Sequence, residues 1–225
     1  MVGFYLKDIS KHSEKLSKFI NIANSELRSE RVPKSLMGRS SGISGKLDES
    51  AKVQQYSTII GSIPPRPHMR RPYPSISSVH NEPKARIFLK SMLLACRESE
   101  ELIKKLAPKI YENQKKLIEE NVPKKWRFGK LFTSSISNFN ISAPFHRDNG
   151  NIKGCVNVII VKKKYADGGN TTVPDYGATV DSCDNSMLVY PAWRNIHGVT
   201  PIKTPTPKGY RNSLVFYPLK AFKNY

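Results

Sequence analysis

Apolar positions along this chain fall into three regimes. Over residues 6–29, Ile9, Leu16, Phe19, Ile20, Ala23 and Leu27 recur mostly every three or four positions, which predicts an amphipathic helix. Residues 84–121 return to that spacing, with Ile87, Leu89, Met92, Leu94, Ile103 and Leu106 before Pro108, then Ile110 and Leu117 after it. Proline is tolerated in a first helical turn, so Pro108 either kinks one helix or opens a second. Between these regions, from Pro33 to about Glu82, the chain is rich in Ser, Gly, Pro and Arg. Its run Ile63-Pro64-Pro65-Arg66-Pro67-His68-Met69-Arg70-Arg71-Pro72 excludes regular helix and central strand, and predicts a segment that orders on contact.

From Leu131 onward the pattern changes to short apolar runs broken by Gly, Pro, Asn and Asp. Val156–Val161, Ser186–Tyr190 and Asn212–Tyr217 are the clearest. Many short strands with turn punctuation predict a sandwich or barrel, and with the helices upstream this makes an α+β protein. A length of 225 residues with 38% apolar positions supports one sizeable core. The expected organisation is a single domain. Residues 1–83 supply a helix and the basic Pro/Arg-rich segment, and residues 84–225 form the core, with helices over 84–121 and strands over 131–225.

Charge narrows the partners. Lys and Arg number 37 against 18 acidic residues, a formal charge of +19. The excess is spread along the whole chain, which suits a polyanion laid across several elements better than a basic tail does. Nucleic acid is therefore the expected partner. Cys96, Cys155 and Cys183 are widely separated and form no CxxC pair, so neither a zinc site nor a disulfide framework is expected. No apolar run has the length of a membrane span, and no signal peptide is evident. These features predict a monomer in an intracellular, reducing compartment, which for a viral protein is the host cytoplasm.

The chemistry is carried by His146-Arg147-Asp148. On an extended segment, residues two apart project to the same face, so an imidazole and a carboxylate could share one metal ion. Alone, an H-x-D is weak: five histidines and seven aspartates produce one by chance in roughly one such sequence in six. His197 strengthens it, following a turn and an apolar strand and preceding Gly198-Val199-Thr200-Pro201. Two histidines and one carboxylate make the facial triad of non-haem iron oxygenases, with positions left open for cosubstrate and dioxygen. 2-Oxoglutarate chelates iron through its 2-oxo acid end, so its far carboxylate needs a fixed cation and a hydroxyl. Arg211 and Ser213, two residues apart at the start of a further apolar strand, answer that need.

These stretches resemble the TET and J-binding-protein family of nucleic-acid-modifying dioxygenases, especially its small bacteriophage members, the 5-methylpyrimidine dioxygenases. The likeness lies in His197-Gly198-Val199-Thr200-Pro201-Ile202-Lys203 followed by Arg211-Asn212-Ser213-Leu214-Val215-Phe216-Tyr217, in Leu106–Gln114, and in His146-Arg147-Asp148. It spans roughly residues 84 to 222. The resemblance implies a double-stranded β-helix, or jelly-roll, with N-terminal helices packed on one sheet. It also implies iron(II), 2-oxoglutarate and dioxygen, and oxidation of 5-methylcytosine in DNA to 5-hydroxymethylcytosine or beyond.

By the same resemblance Asn151 would hydrogen-bond the flipped base and Tyr217 would stack on it. Two histidines of the family are replaced, by Leu219 and Gly150, which leaves thymine open as the base. A flipped base requires a grip on the flanking phosphates, for which Arg66, His68, Arg70 and Arg71 are the expected groups. The alternatives are the same chemistry on a protein side chain or small metabolite, and a DNA-binding relative without catalysis.

Overall fold

The computed structural model describes residues 2–29, 31–32 and 56–225. Its first element is a strand, β1 (Phe4–Leu6), where the apolar spacing predicts a helix from residue 6. Helix α1 spans Glu14–Arg28 and starts where Ser13 accepts a hydrogen bond from Leu16 N at 3.1 Å. Ile9 is fully buried in a separate short turn, so its place in the helical pattern reports burial and not helix.

Strand β2 (Tyr56–Ile63) is followed by short turns and the two-residue strand β3 (Ser75–Ile76). Helices α2 (Arg86–Leu106) and α3 (Pro108–Asn121) come next. Pro108 opens α3 as a second helix, and Ala107 between the two has an extended φ of −143°. The remaining strands are β4 (Ser134–Phe139), β5 (Ala143–His146), β6 (Asn157–Lys164), β7 (Asp167–Gly168), β8 (Thr171–Val173), β9 (Ala178–Val180), β10 (Ser186–Tyr190), β11 (His197–Val199), β12 (Ile202–Lys203) and β13 (Tyr210–Tyr217).

These strands form a seven-stranded sheet, β1-β10-β6-β13-β4-β2-β3, a four-stranded sheet, β5-β11-β8-β9, and a two-stranded sheet, β12-β7. The large sheet therefore draws β1, β2 and β3 from before residue 84. Strand β2 corrects the expectation of a merely contact-ordered segment over 33–82, because it pairs with β4 from Tyr56↔Phe139 to Gly61↔Ser134. Its letters hide it: Ser57, Thr58, Gly61 and Ser62 break the apolar alternation, although Thr58, Ile60 and Ser62 are all buried. Residues 33–55 of that expected segment lie outside the described residues.

The two faces of the large sheet do different work. Val158, Ile160, Val189, Leu214 and Phe216 pack with Leu16, Ile20, Phe88, Met92 and Ala95 of α1 and α2. Phe216 has no exposed surface and lies against Phe128 and Phe132. Truncating such a ring to Ala costs about 3–5 kcal/mol, through lost burial and the cavity left behind. Because side chains alternate along a strand, Arg211, Ser213, Val215 and Tyr217 of β13 project to the other face. That face, with the four-stranded sheet, encloses a cavity. No helix among the described residues is long and apolar enough to cross a membrane.

Candidate metal centre

The cavity measures about 360 Å³. His146 at the end of β5 pairs in register with His197 at the start of β11, which sets their ring centroids 4.4 Å apart. Asp148 follows β5, its backbone N–H donating to the Ala192 carbonyl at 3.1 Å. Its Oδ1 lies 3.5 Å from His146 Nε2 and 3.9 Å from His197 Nε2. One ligand atom from each residue thus falls within 4.8 Å of the others, and the three form a candidate iron site.

The donor atoms are oriented from behind. His146 Nδ1 lies 2.7 Å from the Pro144 carbonyl and His197 Nδ1 lies 3.1 Å from the Asn195 carbonyl. A carbonyl can only accept, so each Nδ1 carries a proton and Nε2 is the ring atom left to hold a metal. Burial lowers the His197 pKa and favours its neutral form. The hydrogen bond to Asp148 raises that of His146, against a smaller opposing effect of burial. Burial alone would raise Asp148, but the His146 hydrogen bond, the charges of both histidines and a hydrogen bond from Asn157 together hold it below the usual carboxylate value. Asp148 is thus anionic at neutral pH.

Arg211 is 1% exposed, and its Nε and Nη2 have no hydrogen-bond partner among the described residues. Burial lowers its pKa only to about 10, so a full cation stands in the cavity wall, with no counter-charge among the described residues. An uncompensated buried charge is costly, and a carboxylate laid against the guanidinium would relieve it. Ser213 lines the cavity on the same face, two residues along β13. Gly169, at φ +69°, lies directly against the Arg211 side chain. The residues present therefore fit both groups: the triad suits a divalent iron ion, and Arg211 with Ser213 suits the distal carboxylate of a 2-oxo diacid.

Of the other expected residues, Asn151 and Tyr217 line the cavity. Burial raises the Tyr217 phenol to about 12, against the opposing charge of Arg66 nearby. None of Arg66, His68, Arg70 and Arg71 lines the cavity. They form a closed loop outside it, tied by backbone hydrogen bonds between Arg66 and Arg71, with His68, Arg70 and Arg71 exposed. Two contributors escape sequence reasoning. Asn157 donates to Asp148 Oδ2 at 2.8 Å, and its one signal is a buried amide at the head of an apolar run. Tyr190 stands edge-on to His197, ring centroids 5.3 Å apart, with its hydroxyl buried and without a partner among the described residues.

The sequence matches the Tet_JBP family model, the oxygenase domain of the 2OGFeDO superfamily, over residues 67–220. No curated protein sequence matches the chain. Among solved structures, NgTET1 in complex with 5mC DNA superposes with a TM-score of 0.61 at 14% identity, covering 97% of this chain and 72% of that one. OsALKBH1 follows at 0.47 and 16% identity, covering 96% and 97% of the two chains. A 2OG-Fe(II) oxygenase family oxidoreductase from Burkholderia pseudomallei follows at 0.44 and 12%, covering 89% and 81%. The likeness to NgTET1 is one of fold, a jelly-roll core with helices on one sheet.

Proposed function

The chain belongs to the Tet/JBP family of iron(II)- and 2-oxoglutarate-dependent oxygenases, and from that premise we propose that it hydroxylates the 5-methyl group of 5-methylcytosine in DNA. The product is 5-hydroxymethylcytosine, with more oxidised bases on repeated turnover. One observation carries the reading: a single cavity joins three converging metal ligands to a buried guanidinium whose Nε and Nη2 have no partner among the described residues. The net charge of +19 supports a nucleic-acid substrate, and so does the likeness of fold to a protein that was solved with 5mC DNA.

Iron(II) with 2-oxoglutarate and dioxygen supplies an oxidant that inserts one oxygen atom into a substrate C–H bond, while 2-oxoglutarate leaves as succinate and carbon dioxide. The chain's own part is placement. His146 and His197 hold the metal through Nε2 and Asp148 holds it through Oδ1, each from a backbone fixed by the sheet or its flanking turns. Arg211 and Ser213 anchor the far end of the cosubstrate. A methyl group on a base edge lies inside the stack, so the nucleotide is flipped out of the duplex, with Tyr217 offering a ring to stack on it and Asn151 a polar edge to read it. The basic loop of Arg66, His68, Arg70 and Arg71 grips the flanking phosphates from outside the cavity.

Methylated DNA incubated with the protein, iron(II) and 2-oxoglutarate, then digested to nucleosides for mass spectrometry, tests this reading. A gain of one oxygen on 5-methylcytosine is expected. Succinate release with every base unchanged would move the substrate to another class.

A further inference from the structure

The two histidines are oriented in the same way but held in different ways. Each ring bonds through Nδ1 to the carbonyl two residues earlier, Pro144 for His146 at 2.7 Å and Asn195 for His197 at 3.1 Å. Pro144 lies within β5, so the pairing of β5 with β11 fixes the backbone around its carbonyl. Asn195 lies outside any strand, in the connection from β10 to β11, and no backbone–backbone hydrogen bond among the described residues holds it. The carbonyl that orients His197 therefore needs another support.

The side chain supplies it. Asn195 is 6% exposed, and one turn grips its amide at both ends: Nδ2 donates to Asp175 Oδ2 at 2.9 Å, and Oδ1 accepts from the Tyr176 hydroxyl at 3.0 Å. A carboxylate only accepts, so Asp175 fixes which way the amide faces and leaves Tyr176 to donate. The turn is stiff in its own right. Pro174 opens it, and Gly177 closes it with a left-handed φ of +58° and an N–H donated to the Pro174 carbonyl at 2.9 Å. It joins β8 to β9, which pair over three residues, and β8 pairs in turn with β11 at Thr172↔Gly198 and Thr171↔Val199. One hairpin thus holds His197 from both sides, by strand pairing just after it and through Asn195 just before it.

We propose that Asn195 is a positioning residue of the metal centre: clamped by Asp175 and Tyr176, it fixes the carbonyl that keeps a proton on His197 Nδ1 and aims Nε2 at the ion. The role rests on the metal centre described above and is independent of which substrate is oxidised. It makes the β8–β9 hairpin part of the metal-binding apparatus, although the hairpin supplies no ligand. Loss of a partner that orients a ligating histidine weakens metal binding by about 10–100-fold.

Metal binding and ring protonation test this without turnover. Metal-free protein is titrated with iron(II) in an anaerobic calorimeter, and the ring N–H signals of His146 and His197 are followed by NMR before metal is added. Asn195→Leu keeps the size and neutrality of the side chain and removes both of its hydrogen bonds. Its dissociation constant for iron(II) is expected to rise about 10–100-fold. The His197 Nδ1–H should exchange faster with water, while that of His146, whose partner carbonyl lies in a strand, stays as it was. Tyr176→Phe removes one of the two bonds at an exposed ring, and should weaken iron binding about threefold. Unchanged iron affinity in an Asn195→Leu protein that keeps its melting temperature overturns the proposal. So does an equal change at both histidines, which marks a general loosening of the site. If Asn195→Leu does not fold, Tyr176→Phe decides, and unchanged iron affinity there overturns the proposal. Failure of the unaltered protein to bind iron(II) overturns the metal centre and this role with it, whereas failure to oxidise 5-methylcytosine overturns only the choice of substrate.

Discussion

Gly169 packs so closely on Arg211 that a methyl group in place of its hydrogen would stand 2.9 Å from Nε and 3.1 Å from Cδ. The guanidinium is thus held between its strand and a glycine that only a left-handed backbone can place there. Gly169→Ala should displace Arg211 and raise the 2-oxoglutarate concentration for half-maximal succinate release about tenfold. Gly177→Ala is the control, because Gly177 shares a positive φ of +58° but has nothing within 4 Å of the added carbon. It should carry only backbone strain, about 1 kcal/mol of stability, with cosubstrate affinity unchanged. Equal effects of the two on cosubstrate affinity would show that the close contact does not matter.

Arg211→Met separates binding from folding. The variant should lose 2-oxoglutarate-dependent turnover, yet its melting temperature without ligands should not fall, because the substitution removes a buried cation whose Nε and Nη2 lack partners among the described residues. Arg211→Lys keeps the charge and loses the planar fork, and should weaken cosubstrate affinity by about 10–100-fold. An Arg211→Met protein that melts markedly lower would show the guanidinium to be structural.

His146→Ala and Asp148→Ala should each abolish base oxidation and leave the salt dependence of DNA binding nearly unchanged, because phosphate contacts supply most of that affinity. Chelation of the metal from the unaltered protein should do the same. Activity and DNA affinity falling together would indicate a folding defect instead.

Glu100 should govern stability near neutral pH. It is 1% exposed, and its Oε1 accepts from Lys130 N at 2.6 Å and Leu131 N at 2.8 Å. Burial nevertheless lifts its pKa from 4.5 to about 7. A folded-state pKa above the unfolded one means that the folded state holds the proton more tightly. Unfolding free energy should therefore decline as pH rises from about 4.5 to 7, by an amount on the order of 3 kcal/mol. Glu100→Gln keeps the accepting oxygen without the charge and should flatten that decline in urea titrations at pH 5, 6, 7 and 8. An equally steep decline in the variant would assign it to other groups.

The metal centre is legible in the amino-acid order because its parts follow local rules. His146 and Asp148 are two apart on extended chain, as are Arg211 and Ser213, and residues at that spacing share a face wherever the strand lies. Helical spacing likewise locates α2 and α3, and Pro108 could begin a helix but not continue one. The same rules mislead at Ile9, where periodicity reports burial without helix, and at β2, where small polar residues pair well in a sheet but leave no apolar signature.

What the sequence by itself determined is the inventory of the site: two imidazoles, a carboxylate and an arginine on strand-like segments, and a surplus of positive charge. What only the tertiary structure decided is which groups act on one another. The pairing of β5 with β11 brings His146 to His197, β6 of the large sheet brings Asn157 to Asp148, and packing of Gly169 on Arg211 confines the guanidinium. Spacing along a chain constrains neighbours within a turn or a strand, whereas contacts between distant segments depend on register and sheet pairing, which the whole core settles at once.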